Sequence, residues 1–309
     1  MKKLTVKQKL IAMTVILAMM VAGLSIFFLN RFAAMSRTYE QIPAVKVPQQ
    51  EVASAMDSAL FNLQMNINQL SGVARNRDTF DLFAGLAKEN LENYKILENA
   101  MLKGNQDLGK EISGLEGISI PPCREGGEIE ALTKKASAVF PEFETICQTV
   151  INRKEKQLDL VNVIGWFDNE KETHGVVKTL VETGRKLEKF TSNTKNTLLV
   201  ADIRRQEKNV LQRADEKYIE RLVDRVHNLL FITSGEFNET AKLYYNTFEG
   251  IFDKVLEVRK LKKELKELVR EDLRERQEVL IEAVSALKKT AHEQMLSYST
   301  EAGKMEKTA

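Results

Sequence analysis

The stretch ADIRRQEKNVLQRADEKY, residues 201–218, contains both a helical signal and one residue that does not fit it. An α-helix rotates by about 100° per residue, and on that spacing the apolar side chains of this region share one face: Leu199, Val200, Ile203, Val210, Leu211 and Ala214. Glu207 falls in the middle of the same face. The pattern predicts a buried helix face that includes a carboxylate, next to Arg204, Arg205 and Lys208.

The composition of the whole chain favours helices throughout. Hydrophobic residues make up 43% and charged residues 29% of the 309 residues, which is typical of folded protein rather than disorder. Glycine (15) and proline (5) are scarce, so long helices are favoured over short strands and tight turns. The net charge is only +2 and the two signs are interleaved, so we expect no nucleic-acid partner. The predicted class is all-α.

The N-terminal region predicts a membrane anchor. Residues 10–29 read LIAMTVILAMMVAGLSIFFL, twenty residues without a charge, which is long enough for a helix to cross the hydrocarbon core. Four lysines and no acid precede this segment, so the N-terminus is expected in the cytoplasm and residues 31–309 outside it. The alternative is a cleaved signal peptide, but its apolar region is normally only about 7–15 residues long. We expect a single-pass protein of the inner membrane.

Helix breakers divide the rest of the chain. Pro43 and Pro48 are expected to interrupt the segment after the membrane, and a glycine-rich loop at 104–127 is expected at the tip farthest from the membrane. Helices are predicted at about 48–75, 79–103, 128–139, 141–164, 176–213, 216–234 and 237–300. Helices this long bury their apolar stripes best side by side. We therefore predict an elongated rod of two stacked four-helix bundles that share long helices.

Two cysteines, Cys123 and Cys147, lie on the side predicted to be exported. In an oxidising compartment they would form a disulfide between the loop and the neighbouring helix, and the alternative is two free buried thiols. Their spacing fits no metal site. The three histidines are far apart, and the chain has no phosphate-binding glycine loop and no nucleophile motif. We therefore expect no metal, no cofactor and no enzymatic activity.

A resemblance to a known family begins at the opening stretch. RRQEKNVLQRADEKY, residues 204–218, resembles the pattern R-R-x-E-K, an apolar segment, then R-x-D-x-K-Y of the helical bimodular sensor domains in bacterial methyl-accepting chemotaxis receptors and some sensor kinases. LYYNTFEGIFDKV, residues 243–255, resembles the stretch that follows that motif in the family. The resemblance implies a dimeric extracytoplasmic domain of two stacked bundles that recognises a small ligand such as an organic acid, or a periplasmic binding protein.

On this reading the chain divides into a cytoplasmic N-terminus (1–9), a transmembrane helix (10–30), a juxtamembrane linker (31–47), the sensor domain (48–300) and a tail (301–309). The family's second membrane helix and signalling module are not found in this sequence. We therefore expect a truncated or excerpted receptor, which forms a homodimer or pairs with a full-length receptor. The alternative function is a membrane-anchored helical adaptor that contacts another envelope protein.

The candidate ligand-binding residues are Arg204, Glu207, Lys208 and Arg75. Arginine binds a carboxylate through two parallel hydrogen bonds, and by helical projection Arg204 faces inward. Arg205 faces outward and is the candidate interface residue. Arg75 lies at the end of the first long helix, and it can join the site only if that helix end packs next to Arg204 and Glu207. The competing interpretation is that Glu207 and Arg204 form a structural ion pair that sets the helix register.

Overall fold

The computed structural model describes residues 6–165, 175–190, 194–213 and 216–308, and the described chain is helical with a single isolated bridge between Asn105 and Ile120. Its α-helices are α1 (Val6–Gln41), α2 (Val47–Gly72), α3 (Arg77–Lys103), α4 (Glu128–Ile164), α5 (Gly175–Lys189), α6 (Thr194–Arg213), α7 (Glu216–Ile232), α8 (Gly235–Glu267) and α9 (Arg274–Thr308). The all-α prediction is confirmed. The predicted turns at Trp166 and His174 and at Ala214 and Asp215 lie outside the described residues.

The N-terminal helix α1 is long and apolar enough to span a membrane. Its best window has a mean hydropathy of 2.0, and none of that window is buried against the protein. The predicted linker at 31–47 is instead helical, because α1 passes through a π-helical segment, Ile42–Lys46, directly into α2. In that segment the N–H of Val47 donates to the carbonyl of Ile42, and Pro43 lies near its start, where a missing N–H costs little.

The described chain forms two compact units that are built from separate sets of segments. Unit 1 contains residues 1–62, 89–141 and 278–309, and unit 2 contains residues 63–88 and 142–277. Helices α2, α3 and α4 each contribute residues to both units. The core of unit 1 includes Met56, Tyr94 and Leu287, whereas Leu180 and Tyr244 belong to the core of unit 2.

The glycine-rich segment at 104–127 is not at the far tip, and that prediction is wrong. The segment belongs to unit 1, where the Sγ of Cys123 donates to the carbonyl of Met101 at 2.7 Å. Lys46, at the end of the π-helical segment, is close enough for its charge to act on the Cys123 thiol. The chain passes from unit 1 into unit 2 within α2 and returns to unit 1 within α3. The loop therefore lies at the end of unit 1 from which α1 leaves.

Three helix boundaries also differ from the prediction. Helix α4 continues through Pro141, because one proline removes a single backbone donor while the flanking turns remain buried. The region expected as one helix at 176–213 is two helices, α5 and α6. The last predicted helix, 237–300, is α8 and α9, joined by a second π-helical segment, Leu268–Leu273.

Candidate functional site

The helix that carries the opening stretch, α6, buries the face predicted from its spacing. Val200, Ile203 and Val210 are buried, and the side chain of Glu207 is only 2% exposed among them. The side chain of Arg204 is 14% exposed and that of Arg205 is 72% exposed. The helical projection therefore separated the two arginines correctly into one that faces the interior and one that faces solvent.

The buried carboxylate of Glu207 is held by side chains from two helices. The Nη1 of Arg204, one turn earlier on α6, donates to Oε2 of Glu207. The hydroxyl of Tyr244 on α8 donates to the same oxygen at 2.8 Å. Tyr244 is completely buried, so this bond lies inside the core of unit 2. The acid is paired and hydrogen-bonded, which is the condition under which a buried charge is tolerated.

Helix α5 provides the surface on which the guanidinium of Arg204 lies. A Cβ at Gly184 would stand 2.9 Å from Cζ and 3.0 Å from Cδ of Arg204, so this side chain keeps its position only while residue 184 is glycine. At the outer edge, Nε of Arg204 donates to Oε1 of Glu188 at 3.1 Å. The Glu188 side chain is 53% exposed, so it closes the site toward solvent. We call this group of side chains and its supporting glycine the Arg204 layer, which consists of Gly184, Glu188, Arg204, Glu207 and Tyr244.

Burial governs the proton equilibria of the Arg204 layer. It raises the pKa of Glu207 above the usual value, although Arg204 and the Tyr244 hydroxyl act in the opposite direction. Burial and the charge of Glu207 raise the pKa of Tyr244 well above its usual value, so the hydroxyl remains a donor. Burial alone would lower the pKa of Arg204, but the charge of Glu207 keeps it above the usual value. The layer is an ion pair of an arginine and a carboxylate, supported by a neutral phenol.

Arg205 belongs to a separate surface network. Its Nη2 donates to Oδ1 of Asp202 at 2.6 Å, and the Nε of Arg225 on α7 donates to Oδ2 of the same carboxylate at 2.7 Å. Asp202 also accepts from Nε2 of Gln206 at 3.2 Å. The hydrogen bonds of Arg225 and Gln206 to Asp202 outweigh the effect of burial, and together with the charge of Arg205 they hold the pKa of Asp202 below its usual value. This network ties α6 to α7, and a role for Arg205 between subunits stays a prediction.

The other two candidate ligand residues do not join the Arg204 layer. Lys208 is exposed on α6. Arg75 is exposed near Lys154, whose Nζ donates to the carbonyl of Ser71 at 3.3 Å and whose pKa falls to about 8 through burial and the charges of Lys262 and Arg75. Lys262 follows Tyr244 by eighteen residues on α8, which at a rise of 1.5 Å per residue is about 27 Å. Arg75 therefore lies at a different level of unit 2.

Both cysteines are free thiols, which departs from the predicted disulfide. Cys123 is part of unit 1 and donates to the carbonyl of Met101, whereas Cys147 is buried on the part of α4 that belongs to unit 2. Burial raises the pKa of the Cys123 thiol to about 11 and that of the Cys147 thiol to about 12. Each thiol is thus protonated and enclosed in its own environment.

The residues that complete the Arg204 layer were missed because nothing near α6 in the sequence identifies them. Glu188 is 16 residues from Arg204 and Tyr244 is 37 residues from Glu207. The family-like stretch at 243–255 includes Tyr244 and was the one available signal.

Within the described ranges, no group of three or more histidine, cysteine, aspartate or glutamate side chains is arranged to hold a metal ion. No protein-family model, no curated protein and no solved structure matches this chain, so the family resemblance stays a prediction.

Proposed function

We propose that this chain is the membrane-anchored, extracytoplasmic sensor domain of a chemoreceptor and that it binds a small organic acid at Arg204. The observation that carries the proposal is a guanidinium held inside unit 2 with its outer edge against a carboxylate that is half exposed. A fixed arginine at the border of a dry interior is the donor that recognition of a carboxylate requires. Helix α1 supplies an anchor of sufficient length and apolar character.

The Arg204 layer provides a specific binding step. Glu207 accepts a hydrogen bond from Nη1 of Arg204 and keeps the guanidinium in one orientation. Glu188 accepts a hydrogen bond from Nε of Arg204 at the edge of the site. An ion pair with so exposed a partner contributes little, on the order of 0–1 kcal/mol. A ligand carboxylate can therefore replace Glu188 and accept from Nε and Nη2 together. In this proposal Arg204 binds the ligand, Glu207 positions Arg204, and Glu188 competes with the ligand.

The wider organisation follows from the same proposal. The two units act as stacked helical bundles that share long helices, the N-terminus stays in the cytoplasm, and the bulk of the chain lies in the periplasm. A homodimer, or a pair with a full-length receptor, delivers the signal to an output module on another segment or chain. A periplasmic binding protein is the alternative partner that the domain recognises.

A helical adaptor is the second candidate function, and an exposed apolar residue favours it. The Phe231 side chain at the end of α7 is 90% exposed, and Leu198 in the first turns of α6 is also exposed. Helices α6 and α7 are neighbours joined by a short connection, so both side chains lie toward the same end of this pair. An exposed apolar pair of this kind suits contact with another protein.

A thermal-shift screen of the full chain in detergent against small mono- and dicarboxylates tests the proposal. A binding acid is expected to raise the melting temperature, and Glu188→Gln is expected to strengthen binding because it removes the competing charge. Glu182→Gln, an exposed change on the same helix, is the matched control. A flat screen with both wild type and Glu188→Gln would refute the ligand site and favour the adaptor. Tighter binding in Glu188→Gln is a result that a purely structural role of the layer does not produce.

A further inference from the structure

Unit 1 contains a buried polar pair with no partner for two of its oxygens. Tyr94 on α3 is completely buried, and its ring stacks on Phe140 of α4 with ring centroids 4.3 Å apart. Glu98 follows one turn later on α3, so the two side chains share a face of the helix. Neither Oη of Tyr94 nor Oε1 of Glu98 has a hydrogen-bond partner among the residues that the structure describes, although both atoms are buried.

The carboxyl group of Glu98 responds mainly to burial and to one neighbouring side chain. Burial raises the pKa of Glu98 above its usual value, although a hydrogen bond with the Ser137 side chain on α4 acts in the opposite direction. Burial, and to a smaller extent the charge of Glu98, raises the pKa of Tyr94, so its phenol stays protonated. Buried polar atoms are hydrogen-bonded in the great majority of cases, because an unmet donor or acceptor costs about 1–3 kcal/mol. Each of the two oxygens thus lacks the hydrogen bond that a buried polar atom usually makes, and a bound guest molecule can supply it.

The chemistry of the two oxygens indicates what the guest is. A carboxylate oxygen only accepts hydrogen bonds, and a phenol oxygen accepts through its lone pairs while its proton remains available. The guest must therefore carry N–H or O–H donors, and a positive charge on it would compensate the Glu98 carboxylate. The Glu98 side chain as a whole is only partly buried, but its Oε1 and the Oη of Tyr94 are enclosed, so a guest of the pair lies inside the unit.

We infer that Glu98 and Tyr94 form a binding site in unit 1 for the head group of a small primary amine, with Glu98 Oε1 and Tyr94 Oη as acceptors of its N–H donors. This site is separate from the Arg204 layer in residues, in unit and in the charge of the ligand. A single water molecule is the other species of matching size, and the experiment below distinguishes the two.

Calorimetric titration of the full chain in detergent with methylammonium chloride tests this site, with sodium chloride at equal ionic strength as the reference. Methylammonium is expected to bind, and tetramethylammonium, which has no N–H donor, is expected not to bind. Glu98→Gln removes a charge-assisted hydrogen bond and is expected to weaken binding by about tenfold or more. Tyr94→Phe keeps the ring stack, removes one acceptor, and is expected to weaken binding by a smaller factor.

The matched control is Glu92→Gln, because Glu92 is an exposed acid on the same helix. It is expected to leave methylammonium binding unchanged, and far-UV circular dichroism confirms that each variant is folded. Methylammonium that behaves like sodium would overturn the amine site and leave a buried water as the occupant. Binding that is equal in Glu98→Gln and wild type would also overturn it.

Discussion

Gly184 is the residue whose substitution tests the Arg204 layer most directly. Gly184→Ala places a methyl group 2.9 Å from Cζ of Arg204, which is far inside the normal contact distance. The guanidinium must shift, and because its Nη1 lies nearest to that methyl group, we expect its bond to Glu207 to be lost. The buried carboxylate then keeps only the 2.8 Å bond from Tyr244. One added methyl group on α5 is thus expected to act through a side chain on α6.

The expected magnitude follows from two opposing terms. Alanine is favoured over glycine in a helix interior by about 1 kcal/mol. Loss of one partner from a buried ion pair costs about 3–5 kcal/mol, and because Arg204 is partly exposed we take about 2–3 kcal/mol. Gly184→Ala should therefore lower the free energy of unfolding by about 1–2 kcal/mol. In a protein that already has Arg204→Ala, the methyl group meets no guanidinium, so Gly184→Ala should raise the free energy of unfolding by about 1 kcal/mol.

The assay is a double-mutant cycle, with the free energy of unfolding measured by guanidinium denaturation of the four proteins in detergent. The cycle should yield an interaction energy of about 2–3 kcal/mol between positions 184 and 204. Gly250→Ala is the matched control, since a Cβ there meets nothing within 4 Å in helix α8. It should be neutral or stabilising in both backgrounds.

The reversal of sign is what makes the test decisive. If Gly184→Ala destabilises the protein equally with and without the Arg204 side chain, the methyl group acts through backbone packing. The reasoning that Gly184 exists to seat the guanidinium would then be refuted. A stabilising effect in both backgrounds would show that Arg204 moves away at no cost and that Glu207 does not depend on it.

Three further predictions concern other parts of the chain. The pKa of Lys154 falls to about 8 in the folded state, so stability should rise as the pH increases from about 8 toward the unfolded value near 10.5. Lys154→Met should abolish that rise and add up to about 3 kcal/mol at pH 7, as read by denaturation at several pH values. When the protein is unfolded without reductant and treated with an alkylating reagent, mass spectrometry should find one added alkyl group on each of Cys123 and Cys147. A protein that takes up no alkyl group and is lighter by two hydrogen atoms would contain a disulfide instead. A carbodiimide should couple Asp57 to Lys288, whose charged atoms are 2.7 Å apart, and absence of that cross-link would contradict the pairing of α2 with α9.

Much of the fold follows from local spacing. The apolar face of α6, the buried position of Glu207 and the opposite orientations of Arg204 and Arg205 need only the rotation of a helix. Helix breaks were less predictable, because Pro141 lies inside α4 and the glycine-free region between α5 and α6 still ends a helix. Packing of the flanking turns decides whether such a residue interrupts a helix, and that packing involves distant segments.

The position of the glycine-rich loop shows a different limit. A loop between two long helices looks like a distal tip when its neighbours are considered alone. The chain re-enters unit 1 within α3, and the loop that follows places Cys123 close enough to Lys46 for that charge to act on the thiol. The composition of the loop contains no information about that neighbour, which is more than seventy residues away in the chain.

The amino-acid sequence by itself determined that this protein is helical, that its N-terminal helix is apolar enough for a membrane, and that one acid lies in a buried helix face. Only the tertiary structure decided what that acid contacts. Arg204 was available within one turn, but Tyr244 and the space above Gly184 come from two other helices. Side chains so far apart in the chain converge only when helices pack side by side, and the spacing of residues along one helix contains no information about its neighbours.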